Sequence, residues 1–186
     1  LCPPYPDCGE GPITSEEDQD TSGCGILTGN LSGTYPADEY RISSDITIAS
    51  GDTLLLEAGT EFLFDGGVNF NIYGTLKAIG TESDSIIFDN YGDERWRGLT
   101  LDNVSDETEL EYVRISGAEK VLDFRGGGGM YLLNSNPTLT HVTIENNKAK
   151  SAGGGMYLLN SNPTLTHVTI RNNITGEYGL AGGIFI

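Results

Sequence analysis

The sequence predicts an all-β solenoid of stacked parallel strands, and three observations carry that prediction. Eighteen letters, GGGMYLLNSNPTLTHVTI, fill residues 127–144 and recur unchanged at 153–170, a 26-residue step. From about residue 40 the chain runs as short apolar–polar stretches rich in Ile, Leu, Val, Thr and aromatics. Each stretch is closed by Gly, Asn, Asp or Ser, which is strand texture. No convincing stretch has the 3.6-residue periodicity of a helix.

Taken in order, residues 1–25 (LCPPYPDCGEGPITSEEDQDTSGCG) are dominated by Pro, Gly and acidic side chains. They read as an irregular arm or linker without a core of its own. The solenoid is expected over 26–186, in about five to six coils of three sheets. RISSDITIASGDTLLLEAGTEFLFDGG opens it, and VNFNIYGTLKAIG, SIIFDN, RGLTLDN and ELEYVRISGA continue it. Near-identical coils follow at 127–152 and 153–181, with an incomplete coil at 182–186. Each copy contains three short strands, GMYLL, PTLTH and VTIEN, with Asn-Ser-Asn-Pro between the first two and a bend near His141. Three strands without a hairpin turn must lie copy on copy, each strand about 4.8 Å from its counterpart.

Stacking explains why the copies are identical. Inward Met130, Leu132, Leu139, Val142 and Ile144 would each meet themselves as Met156, Leu158, Leu165, Val168 and Ile170. Asparagines at turns can form amide ladders in the same way. The expected rungs are Asn134/Asn160, Asn136/Asn162, Asn146/Asn172 and Asn147/Asn173, with His141 and His167 as a further stacked pair at the bend. Earlier coils keep the frame with looser letters: Leu54 to Leu76 is 22 residues and Ile115 to Ile144 is 29.

Charge and cysteine usage restrict the function classes. A net charge of −17 repels nucleic acid and anionic membrane surfaces, and no apolar run reaches the roughly 18–20 residues of a membrane span. The cysteines are Cys2, Cys8 and Cys24, all in the arm. Without a Cys-x-x-Cys pair or a nearby His they do not suggest zinc. One disulfide of undecided pairing, with a thiol left over, fits them and points to an oxidising compartment.

At this point GDTLLLEAGTEFLFDGG, IYGTLKAIGTESDSIIFDN and RWRGLTLDN, followed by the glycine-led coils, resemble the right-handed parallel β-helix repeat proteins of bacterial surfaces. The resemblance covers roughly residues 40–186. It implies the fold and an extracellular or cell-surface location. Some members of that family are polysaccharide lyases or hydrolases; many are adhesins or repeats within surface-anchored proteins.

A catalytic constellation would need two or three carboxylates at a set spacing on one sheet face. The face formed by NFNIY, GLTLD, GMYLL, GMYLL and GIFI offers Asp102 alone, so no catalytic residue is assigned. Acidic groups lie elsewhere: Asp84, Asp89, Asp93 and Glu94; then Asp102, Asp106, Glu107, Glu109 and Glu111. They read as solvated faces, the sharper alternative being a structural Ca²⁺ site, and no metal ligand set is assigned. The outward column Tyr131, Tyr157, Phe185, flanked by Leu133 and Leu159, forms an aromatic–aliphatic strip of the kind that marks contact surfaces. Asn30, Asn103 and Asn173 each begin an Asn-x-Ser/Thr triplet. Given the bacterial character of the resemblance they are read as chance; in a eukaryotic chain they would be glycan sites. The expected function is a non-enzymatic structural or adhesive surface solenoid whose partner is another copy, stacked end to end into fibres, or a surface polysaccharide or protein. The alternatives are a carbohydrate-binding module using the aromatic strip and a fragment of a polysaccharide-active enzyme.

Overall fold

The structure is a computed structural model that describes residues 25–121 and 126–186; residues 1–24 of the expected arm, with the three cysteines, lie outside the described residues. Every pairing between its strands is parallel, and the strands wind into a β-solenoid of about six turns. Three walls run along it. The first stacks Glu61–Phe64, Ile86–Asn90, Val113–Ile115, Thr143–Glu145 and Thr169–Arg171. The second stacks Phe70–Ile72, Leu99–Asp102, Met130–Leu133, Met156–Leu159 and Ile184–Phe185. The third runs from Gly33–Tyr35 through Thr53–Leu56, Thr75–Ile79, Glu109–Glu111 and Thr138–Thr140 to Thr164–Thr166.

The walls differ from three separate sheets in one respect. Glu39–Ile48 is a single ten-residue strand whose first half pairs with Glu61–Phe64 and whose second half pairs with Phe70–Ile72. It turns the corner without a break, so walls one and two form one twelve-stranded sheet among the described residues. In later coils the corner opens and holds a fourth, minor stack that sequence texture did not disclose: Glu119–Lys120, Lys148–Ala149 and Ile174–Thr175. Two residues per strand are too few to show alternation.

The register is what the repeat implies. Met130 pairs with Met156, Leu132 with Leu158, Leu139 with Leu165 and Ile144 with Ile170. The looser steps also align, Leu54 with Leu76 and Ile115 with Ile144. Period-two alternation sends one set of side chains into a continuous core. Its middle is aromatic: Phe62, Phe64, Phe70, Phe88 and Trp96 are fully buried. Trp96 stacks on Phe64 at 4.2 Å and donates its indole N–H to Ser116 O at 2.7 Å. Each such ring contributes about 1.5–3 kcal/mol of transfer free energy on burial.

The corners rest on left-handed backbone. Asn103, Asn134 and Asn160 have φ of 52, 47 and 52°; Asn146 and Asn172 have 57 and 55°. Asn is among the few residues that tolerate this region. The Gly-Gly-Gly that leads each copy is a close-approach device. A Cβ on Gly128 would lie 2.2 Å from Gly154 O, and one on Gly154 would lie 2.5 Å from Gly182 O. Backbone stacks on backbone there with no room for a side chain.

Candidate functional site

The polar side chains divide between those that tie coils together and those that face outward. Asn147 is the best example of a tie. It is fully buried, its Oδ1 accepts the Ala118 N–H at 2.9 Å, and its Nδ2 donates to Ile115 O at 3.0 Å. One coil on, Asn173 repeats the arrangement, accepting the Asn147 N–H at 2.9 Å and donating to Ile144 O at 2.8 Å. Asn136 accepts the Asn162 N–H at 2.8 Å. The four corner asparagines differ from the amide ladder expected of them. Asn134, Asn160, Asn146 and Asn172 are all exposed and contribute their left-handed φ instead, because that corner geometry leaves the side chain in solvent.

A serine ladder occupies the Asn-Ser-Asn-Pro turn. Ser135 Oγ lies 2.8 Å from Leu133 O and accepts the Val104 N–H at 3.2 Å, while Ser161 Oγ donates to Leu159 O and accepts the Ser135 N–H, both at 3.0 Å. Its signal was the repeated Asn-Ser-Asn-Pro itself. His141 and His167 stack at 4.5 Å, and Tyr112 continues the column at 4.5 Å below them. All three have φ near +50°, a region that costs a non-glycine residue roughly 1–2 kcal/mol; the ring stacking offsets part of that.

Five acidic side chains, Asp65, Asp89, Glu109, Glu119 and Glu145, are drawn into ion pairs between coils. Asp89 meets Arg114 at 3.3 Å, Arg114 meets Glu145 at 4.0 Å, and Glu145 meets Arg171 at 2.7 Å. Lys77–Glu109 and Glu119–Lys148 close other gaps at 3.5 and 2.9 Å. Of the two acidic groups singled out from sequence, Asp89, Asp102, Glu109 and Glu111 stand on strands and Asp84, Asp93, Glu94, Asp106 and Glu107 on the turns between them. Among the described residues no three His, Cys, Asp or Glu side chains converge.

The outward face of wall two is where unlike side chains gather. Strand register places Thr47, Asn71, Thr100, Tyr131, Tyr157 and Phe185 in one column. Asp102, Leu133 and Leu159 form the neighbouring one. Tyr157 and Phe185 stack at 5.0 Å and are half-buried, as are Leu133 and Leu159. Tyr131 departs from the expected exposed strip: it is only 7% exposed, its ring tilted against Tyr157 at 5.5 Å. Its hydroxyl is buried and has no hydrogen-bond partner among the described residues. Across the three preceding coils the same face holds an open hollow of about 400 Å³, lined by Thr47, Ala49, Ser50, Tyr73, Asp102 and Asn103. Tyr73 is 42% exposed. Asp102 and the Tyr73 of NFNIY belong to the same outward strand face, but the hollow they share with Thr47 and Ser50 depends on how the corners meet.

The family model for the right-handed beta helix region matches residues 39–186. The chain belongs to that family. This β-helix is also similar to the Protein bark beetle of Drosophila melanogaster, at 34% identity over 68 residues, which is 36% of this chain and 2% of the length of that protein. The β-helix thus corresponds to a small fraction of that relative. That relative is an animal protein. No solved structure matches the chain. The β-helix family includes both enzymes, among them polysaccharide-active ones, and non-enzymes.

Proposed function

We propose that this β-helix is a non-enzymatic structural or adhesive solenoid of the extracellular space or cell surface. The observation that supports it is the use made of polar groups that run from coil to coil. Asp89, Arg114, Glu145 and Arg171 form an alternating-sign chain across successive coils, and Asn, Ser and His side chains cross-link coils at the corners. Such side chains stiffen a rod by joining each coil to the next. The test is a product assay: the intact chain is incubated with acidic and neutral polysaccharides, and reducing and unsaturated ends are measured. No product above a heat-denatured control is expected. Time-dependent release that follows the folded protein would overturn the proposal.

The half-buried stack of Tyr157 on Phe185, with Leu133 and Leu159 beside it, favours a second reading, a carbohydrate- or protein-contact strip. Glycan-array binding that is lost in Tyr157→Ala with Phe185→Ala would establish it. Self-association uses a different surface. Inward side chains of the last coil are open to solvent, with Leu165 41% and Ile184 36% exposed. At the other end Leu27 and Leu31 are 1% and 3% exposed. A head-to-tail contact between copies does not close and repeats into a fibre; fibres of the intact chain in electron micrographs would support such stacking, and isolated rods would count against it.

A further inference from the structure

Three Asn-x-Ser/Thr triplets occur in the solenoid, Asn30-Leu31-Ser32, Asn103-Val104-Ser105 and Asn173-Ile174-Thr175, and the fold sorts them. Asn173 is committed to the inner ladder: its Oδ1 accepts from Asn147 N and its Nδ2 donates to Ile144 O. A sugar on that nitrogen would have to displace the coil below. Asn30 and Asn103 are exposed, and both border the same feature. Asn30 pairs in register with Thr47. Thr47 and Asn103 both line the open hollow that contains Tyr73, Ser50 and Asp102. Asn103 stands at a corner with φ of 52°, its Nδ2 donating to Asp102 Oδ1 at 2.6 Å.

We propose that Asn103 is an N-glycan acceptor whose first N-acetylhexosamine settles in the hollow against the Tyr73 ring, that Asn30 is a second acceptor at its rim, and that Asn173 stays unmodified in the folded protein. The chemistry of the hollow suits such an occupant. A phenol ring with one face free packs against the C–H-rich face of a sugar, and the hydroxyls of Thr47 and Ser50 offer donors and acceptors to its polar rim. A neutral sugar also meets no repulsion from a chain of net charge −17. The donor is a lipid-diphosphate-linked oligosaccharide of the secretory pathway. The Asn103 amide nitrogen forms the new C–N bond to the anomeric carbon, the C–O bond to the diphosphate breaks, the lipid diphosphate leaves, and one amide proton is released. The remaining N–H keeps its hydrogen bond to Asp102.

The inference rests on the extracellular placement proposed above, because this donor is confined to the secretory pathway. Its test imposes secretion, so that it reports on the acceptors and not on location. The full chain is secreted from a eukaryotic cell line behind a cleavable leader and treated with peptide-N-glycosidase in heavy-oxygen water. Peptide mass spectrometry then reads each asparagine. Asn30 and Asn103 are expected to convert to labelled Asp, and Asn173 to remain Asn. The glycosylated chain is further expected to melt higher than its Ser105→Ala and Asn103→Gln variants, each of which removes the triplet by a different change. That upward shift should vanish in Tyr73→Ala. An unoccupied Asn103, an occupied Asn173 in folded protein, or a shift indifferent to Tyr73→Ala would each overturn the proposal.

Discussion

Asn147 shows what a single buried polar side chain does in a stacked fold. Its amide satisfies one backbone donor and one acceptor of the preceding coil. Asn147→Ala leaves both groups unpaired in a dry interior, an expected loss of about 3 kcal/mol measured by urea denaturation. Asn173→Ala, at the half-buried copy of that position, should lose less, about 1 kcal/mol. Tyr40 supplies a pH dependence. Burial, with help from the charges of Asp38, Tyr35 and Glu57, pushes its phenol from the ordinary 10.0 up to about 12; burial raises Tyr35 as well. The folded state thus holds its proton more tightly than the unfolded chain does. The stabilisation is intact below pH 10.0 and drains away as pH rises toward about 12, because ionisation then favours the unfolded state. Denaturation midpoints followed through that window should fall, and Tyr40→Phe should flatten the fall. An unchanged slope in the variant would remove Tyr40 as the cause.

At the scale of one strand on the next, the informative letter is the one where the repeat stops being identical. After eighteen matched residues the first copy reads Glu145 and the second Arg171, and these two pair in register at 2.7 Å. Apolar, Asn, Ser and His side chains gain from meeting themselves; a carboxylate 9% exposed does not. Arg171→Glu should therefore cost about 1 kcal/mol, a loss that shrinks at high salt. Exchanging the two residues should fail to restore full stability, since the new arginine at 145 would face Arg114, now 4.0 Å from Glu145. The identical segments were readable as stacked strands. The sign of this rung was readable too, once the register was fixed, but the reach of Arg114 from the coil before was not.

The whole molecule behaves as a one-dimensional stack in which each coil is stabilised chiefly by its neighbours. The duplication provides an internal control. Thr138–Thr140 and Thr164–Thr166 have the same letters and the same pairing. Yet Leu139 is fully buried and Leu165 is 41% exposed. Hydrogen exchange should thus be faster across 164–171 than across 138–145, with propensity held constant. Equal protection in the two copies would mean that the last coil gains its stability from a contact the isolated chain makes elsewhere, such as a second copy.

The sequence by itself determined the parallel solenoid, the coil register and the corner positions. Each of these is a local property, set by period-two alternation, a 26-residue identity and residues that accept left-handed backbone. Only the tertiary structure decided which asparagines lie inside and which face solvent. Asn147 and the adjacent Asn146 take opposite roles, because one residue of register moves a side chain from core to surface. It also decided that Tyr131 is covered, and that Asn30, Thr47, Tyr73 and Asn103 share one face. Those residues lie in different coils, so their meeting depends on how far each corner turns the chain, a quantity that no single stretch of sequence contains.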